Sequence, residues 1–266
     1  MRRRKDELKR VVIKVGSSSI THEDGSINLA KISDLCWNLS NLKNHGVEVV
    51  LVTSGAIAAG AKCLNLKERP KNTSQKQAAS AVGQVALMNT YNKELREHNY
   101  QVAQLLLTKQ IETDVVMREN AVNSFNELLK MDCIPIINEN DAVCTFEIEF
   151  GDNDTLSAVV ARLINADLLI MLSDIDGLYD SDPNVNPDAQ LIKQVDKIDE
   201  DLLGMASGST SNRGTGGMVT KLNGAMLCME RGIDAMIANG ENMDIIRKIF
   251  EGEEAGTLFK GADIKC

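Results

Sequence analysis

Aromatic residues are scarce, at 3% of the 266-residue chain. A core of this size must therefore be built from Val, Ile, Leu, Ala and Met, a composition that suits a parallel sheet covered by helices. No apolar run approaches the ~20 residues that would span a bilayer. The opening Met1-Arg-Arg-Arg-Lys5 leads into charges rather than an apolar leader, and reads as a solvated terminus. The six cysteines are scattered without a C-x-x-C pair, which fits reduced thiols in a cytoplasmic protein. His22, His45 and His98 are too far apart in sequence to form a zinc-ligand pair on one helical face, so no protein-held metal site is expected. Positive charge is also short. A net charge of -9 argues against a nucleic-acid footprint, and an anionic ligand would need local cations. No internal repeat, low-complexity tract or interdomain linker stands out.

The remaining pattern is an alternation of strands and helices. Val11–Val15, Val47–Thr53, Val102–Leu107, Ile134–Ile137 and Leu168–Leu172 are short, apolar and bounded by turn residues, as buried strands are. Between them, Asn28–His45, Gln75–Glu97 and Glu119–Met131 carry apolar residues at three- and four-residue steps, and Gly46 ends the first of these helices. A final helix, strand, helix pattern follows at Met218–Arg231, Asp234–Ala238 and Met243–Phe250. The order implies an α/β fold, a mostly parallel central sheet with helices on both faces, and ligands at the carboxyl ends of its strands. One stretch differs: Ala142–Phe150 alternates polar and apolar residues like a half-exposed hairpin able to lie over a site. A division near residue 167 separates two lobes of one sheet, about 10–166 and about 167–260.

Chemistry-bearing residues follow the strands. Lys14 ends the first strand in Lys14-Val-Gly-Ser-Ser-Ser19, where an ammonium in an apolar setting costs energy unless an anion meets it; the alternative is a lysine snorkelling from an edge strand. Ser54 and Gly55 follow the second strand in Thr53-Ser-Gly-Ala-Ile-Ala-Ala-Gly60, and either attract an anion to a helix start or simply cap it. Asn138-Glu-Asn-Asp-Ala142 and Gly151-Asp-Asn-Asp-Thr155 flank the expected hairpin. Asp141 could take an amino acid's ammonium and Asn153 its polar ends, although Asx turns and helix caps would also explain them. Asp154 would repel phosphates unless it sat between cations as their organiser.

Ser173 and Asp174 follow the fifth strand. The stretch Gly214-Thr-Gly-Gly-Met-Val-Thr-Lys221 fits neither the P-loop order nor the Rossmann order, since Val219 stands at the third glycine's place. Glycines ahead of a helix still let backbone N–H groups approach a polyphosphate, and Lys221 could add its charge; a surface loop is the plain alternative.

Taken together, these stretches resemble the amino acid kinase family over nearly the whole chain, from Val11 to Phe259. VTSGAIAAG, INENDAV, GDND-x-LSA, SDIDGLY and GTGGMVTK are similar to the branch of that family that phosphorylates glutamate. The resemblance implies transfer of the γ-phosphoryl group of ATP, with Mg²⁺, to the γ-carboxylate of L-glutamate, the first step of proline biosynthesis. It casts Lys14 and Lys221 as phosphate-stabilising lysines and Asp154 as the residue that orients them. Ser54, Asp141 and Asn153 correspond to glutamate-binding residues. Lys14, Ser173 and Asp174, with Thr215, Gly216, Gly217, Met218, Val219, Thr220 and Lys221, correspond to the nucleotide-binding set; position 173 is Ser where Thr is frequent. A carboxylate nucleophile is already ionised at neutral pH, so the chemistry requires no catalytic base and the lack of a motif histidine is accounted for.

Fuller members continue into a PUA-type domain, whereas this chain resembles the catalytic domain alone. A homodimer or homotetramer and feedback inhibition by proline are further expectations. The alternatives are a kinase of the same fold acting on N-acetylglutamate or aspartate, or a nucleotide-binding regulator that has lost catalysis. An acetylated amine could not pair with Asp141, and the presence of both lysines speaks against the regulator.

Overall fold

The computed structural model describes residues 8–144, 153–183, 185–207 and 217–262. Strand β1 (Arg10–Lys14) leads through the short helix α1 (Ser17–Ile20) into α2 (Leu29–Asn44), followed by β2 (Glu48–Val52), α3 (Ala56–Cys63) and α4 (Thr73–Glu97). Next come β3 (Val102–Leu107), α5 (Val115–Lys130), β4 (Ile134–Glu139), α6 (Asn153–Leu163) and β5 (Leu168–Ser173). The chain continues with β6 (Gln194–Val195), α7 (Glu200–Ser207), α8 (Met218–Met229), β7 (Asp234–Asn239), α9 (Ile245–Glu251) and β8 (Thr257–Phe259).

Among the described residues the strands form one sheet in the order β3-β4-β2-β1-β5-β7-β8-β6. Every pairing is parallel except that of β7 with β8. The α/β expectation is met, and alternation along the strands explains the layering. Val11, Ile13, Val49, Leu51, Ile134 and Ile136 face the core shared with α2, α3, α4 and α9. Val12, Val50, Val52, Ile137, Leu169 and Met171 face the core under α5, α6 and α8. Each such side chain contributes about 1.5–3 kcal/mol by leaving water, and a strand buried on both faces has no polar side to spare. No helix among the described residues is long and apolar enough to cross a membrane.

Several boundaries move for local reasons. Helix α2 is capped by the Asn28 side chain, which accepts from Lys31 N, and is closed by Gly46 at φ 80°. Helix α5 begins four residues before the periodic stretch at Glu119, because the Asp114 side chain accepts from Met117 N and caps it there. The polar stretch after Ser173 is more ordered than its composition suggests. It contains β6 and α7, and Gln194 and Val195 pair with β8, a strand too short to register as a pattern. Asp141–Val143 form a turn, with Val143 N donating to Asn140 O. Beyond Cys144 the expected hairpin lies outside the described residues, as do Asp152, Thr215 and Gly216.

The register of the sheet aligns the site. Lys14 pairs with Val52 on one side and Met171 on the other, and Val52 pairs with Ile137. The residues that follow, Thr53–Ser54, Asn138–Asp141 and Ser173–Asp174, therefore emerge along one edge. The chain moves from β1 toward β2 in one direction and toward β5 in the other, so this edge is also the topological switch point of the sheet.

Candidate active site

Three charged side chains that are far apart in sequence meet at the end of β1. Lys14 comes from the strand itself, Asp154 from the first turn of α6, and Lys221 from the first turn of α8. The Lys14 ammonium lies 2.5 Å from Asp154 Oδ1, and the Lys221 ammonium 3.1 Å from Oδ2. All three are buried, Asp154 completely. The Thr220 hydroxyl also lies 3.0 Å from Asp154 Oδ2. Burial by itself would push the Asp154 carboxyl up, but the two ammoniums outweigh it and hold the group below the ordinary carboxylate range. One carboxylate thus fixes two cations at the mouth of the sheet. Each ammonium has three donors and spends only one of them on Asp154 in these contacts.

A second, uncharged cluster sits beside this one. The Asn153 side-chain amide donates to the Thr53 carbonyl at 2.6 Å, lies 3.0 Å from Ser54 Oγ and donates to Asn138 Oδ1 at 2.9 Å. Ser54, Asn138 and Asn153, expected from three separate motifs, are thereby brought together. Asp141 is buried a few residues on, and its Oδ2 accepts from Ser80 Oγ of α4 at 2.6 Å. Burial raises the Asp141 carboxyl above its ordinary value, and the Ser80 bond offsets this only in part.

On the other side of Lys14, Ser173 is buried at the end of β5 and its hydroxyl donates to Oδ1 of the exposed Asp174 at 3.1 Å. Gly217 precedes α8 without a side-chain cap, so the first N–H groups of the helix receive no side-chain acceptor from that position. Met218 is buried, while Val219 and Thr220 are half-buried beside it. Of the residues expected to hold a nucleotide, Lys14, Ser173, Asp174 and residues 217–221 lie among the described residues.

Sequence reasoning missed the contribution of α4. Its buried stripe, Leu87, Tyr91 and Leu95, runs toward the site through Gln84 and Ser80. Two polar residues continuing an apolar stripe are a signal of internal partners. Ser80 meets Asp141, the Gln84 Oε1 accepts from Asn138 Nδ2 at 2.9 Å, and Tyr91 Oη lies 2.8 Å from Thr53 Oγ1.

A mostly parallel sheet covered on both faces, with two lysines paired to one buried carboxylate at its switch point, defines a class: an α/β protein with a charge cluster where such sheets bind their ligands. The amino acid kinase family model matches residues 9–239, and the chain belongs to that family. It is 49% identical over 263 residues to the glutamate 5-kinase of Clostridium perfringens, covering 97% of this chain and 98% of that one. It is 51% identical over 252 residues to the glutamate 5-kinase of Clostridium acetobutylicum, covering 95% and 94% of the two chains. The fold is also that of the UMP kinase of Bacillus anthracis, with a TM-score of 0.64 at 18% identity over 95% of this chain and 96% of the other.

Proposed function

We propose that the chain is an ATP-dependent kinase of the L-glutamate γ-carboxylate, forming L-glutamyl 5-phosphate at the entry to proline biosynthesis. The observation that carries this reading is the placement of the Lys14–Asp154–Lys221 cluster directly beside the Ser54–Asn138–Asn153 cluster. The first is suited to a transferring phosphoryl group and the second to a small polar acceptor.

The acceptor oxygen arrives ionised, so the protein's task is to bring two anions together and neutralise the charge that builds on the phosphoryl oxygens. Lys14 and Lys221 supply that charge, and Asp154 keeps both ammoniums in place before substrate arrives. In this reading Asp141 pairs with the glutamate ammonium, while Ser54 and Asn153 hold its polar ends. Ser173, Asp174 and the segment from Thr215 to Lys221 hold the nucleotide. Residues of about 10–166 form the glutamate side and those of about 167–260 the nucleotide side.

Mg²⁺ enters as the companion of the ATP phosphates. Asp154, the buried carboxylate nearest the lysines, already has both oxygens engaged by cations, an arrangement that suits holding ammoniums rather than building an all-oxygen metal cage. Further parts of the proposal are a cytoplasmic homodimer or homotetramer, supported by the exposed apolar Val115 and Val116 on the glutamate side, and proline as a competitor in the glutamate pocket.

The direct test is hydroxylamine trapping of acyl phosphate from ATP and Mg²⁺ with L-glutamate, N-acetyl-L-glutamate or L-aspartate as acceptor. Hydroxamate from glutamate at least tenfold above the other two is expected; a preference for either of the others overturns the assignment. Millimolar proline in the same assay tests inhibition, and sedimentation tests assembly.

A further inference from the structure

Three side-chain amides form a continuous line into the proposed amino acid pocket. Its polarity is set by the backbone. Glu139 N donates to Asn138 Oδ1 at 2.9 Å, so that atom of the amide must be the oxygen. The same oxygen accepts from Asn153 Nδ2, whose identity as nitrogen is fixed in turn by the Thr53 carbonyl it meets at 2.6 Å. The other end of the Asn138 amide is then a donor and needs an acceptor. Gln84 Oε1 supplies it at 2.9 Å.

Gln84 is only 7% exposed, and its own Nε2 has no partner among the described residues. An unmade bond on a buried amide costs about 1–3 kcal/mol, so packing alone gives no reason for a glutamine in line with Leu87, Tyr91 and Leu95. Its acceptor does. Helix α4 is held in register by contact with α3: a Cβ added at Gly83 would come 1.8 Å from the Ala56 carbonyl oxygen, and one added at Gly60 would come 1.7 Å from that of Ala79. That backbone contact sets Ser80 and Gln84, one turn apart, against Asp141 and Asn138.

We propose that Gln84 is a positioning residue for the amino acid substrate, acting through Asn138 on Asn153 and Ser54. Without its acceptor, Asn138 Nδ2 is left buried and unpaired. Asn138 relieves that cost by turning away, and the turn withdraws the oxygen that anchors Asn153. The inference rests on the reading of Ser54 and Asn153 as glutamate-binding residues.

The test compares Gln84→Met, which keeps length and burial but removes the acceptor, with Gln84→Glu, which keeps it. Burial favours the protonated form of the introduced carboxyl. Coupling within one hydrogen-bonded network predicts a glutamate KM about tenfold higher in Gln84→Met, with kcat and the ATP KM within about twofold of wild type. Gln84→Glu brings the glutamate KM back to within about threefold of wild type. A merely structural role would lower kcat through the active fraction and would spare neither substrate. A glutamate KM within twofold of wild type in folded Gln84→Met overturns the inference, as does an equal rise in both KM values. Should Gln84→Met not fold, Gln84→Glu decides alone, and a glutamate KM more than tenfold above wild type overturns it. If the wild-type enzyme forms no glutamyl hydroxamate, the activity reading falls and this inference with it. If it does form the product, failure of the variants removes the Gln84 role alone.

Discussion

The Lys14 ammonium lies 2.5 Å from Asp154 Oδ1, with both side chains buried. The second oxygen of the same carboxylate faces Lys221 at 3.1 Å. Asp154 therefore joins both lysines in one buried charge cluster, and its removal takes away the carboxylate that the two buried ammoniums share. Asp154→Asn is expected to cost about 3–5 kcal/mol of stability, the range for breaking a buried ion pair by deleting one partner. It also lowers kcat by about two to three orders of magnitude through misplaced lysines. Chemical denaturation and steady-state kinetics measure the two effects, and a variant with native stability and rate would remove Asp154 from the cluster.

The same pair gives a pH signature. Asp154 has a carboxyl pKa lower in the folded state than in the unfolded chain. Its contribution to stability is complete above the unfolded value of ~3.9 and is lost as pH falls through the folded value. The stability gap between wild type and Asp154→Asn is therefore expected to be constant near neutrality and to shrink only below about pH 4. Thermal melts from pH 7 downward check it. A gap that closes between pH 7 and 5 would point to another group.

Lys221→Ala deletes the ammonium proposed to face the transferring phosphoryl group while leaving the Ser54–Asn138–Asn153 cluster intact. A fall in kcat of about two to three orders of magnitude is expected, with the glutamate KM changing far less. Near-normal kcat would contradict the role given to Lys221. A folded protein is a precondition, and the Tm of the variant establishes it.

The strands and the identity of the site motifs could be read from the sequence because both follow short local rules. Val11–Val15 and Leu168–Leu172 are apolar runs bounded by turns, and a residue just past such a strand must lie at the sheet's edge. Lys14, Ser54, Asn138 and Ser173 were placed in this way. What could not be read was convergence across the helices. Nothing within α4 alone says that Ser80 points at Asp141 and Gln84 at Asn138, since that depends on how α4 rests on α3. Asp154 could be expected between cations, but nothing in the sequence says that its neighbour Asn153 turns the other way, toward Ser54 and Asn138. Strand β8 escaped notice because three residues carry no periodicity and its pairing with β7 is antiparallel to the rest.

Asp141 predicts a different pH dependence. Burial raises its carboxyl pKa, and Ser80 recovers only part of the shift. An ammonium partner needs the ionised form, so the glutamate KM is expected to rise as pH falls through the elevated value while the ATP KM stays level. For stability the sign is reversed relative to Asp154. The raised group favours the folded state below the unfolded pKa, and that contribution is lost as pH rises through the folded one. Asp141→Asn should raise the glutamate KM about 10- to 100-fold, the worth of a hydrogen bond to a charged group, with kcat within a few-fold of wild type. A glutamate KM unchanged in Asp141→Asn would assign the ammonium to another residue.

The contact between Gly60 and Gly83 makes the last prediction, because it links packing to substrate preference. The Cβ introduced by Gly83→Ala would meet the Ala56 carbonyl oxygen at 1.8 Å and the Gly60 nitrogen at 2.5 Å. These are backbone atoms that no rotamer change can move, so α3 and α4 must separate. Overpacking of this kind costs about 1–3 kcal/mol where neighbours can yield, and the rigid partners here place the expected loss at the upper end of that range. A protein of this size then melts roughly 5–10 °C lower. The displaced helix is the one that carries Ser80 and Gln84, on either side of residue 83. It does not carry Lys14, Ser173 or Lys221, which sit on β1, β5 and α8. Gly83→Ala is therefore expected to raise the glutamate KM several-fold more than the ATP KM, measured well below its Tm. Equal changes in the two values would mean that α4 positions neither Asp141 nor Asn138.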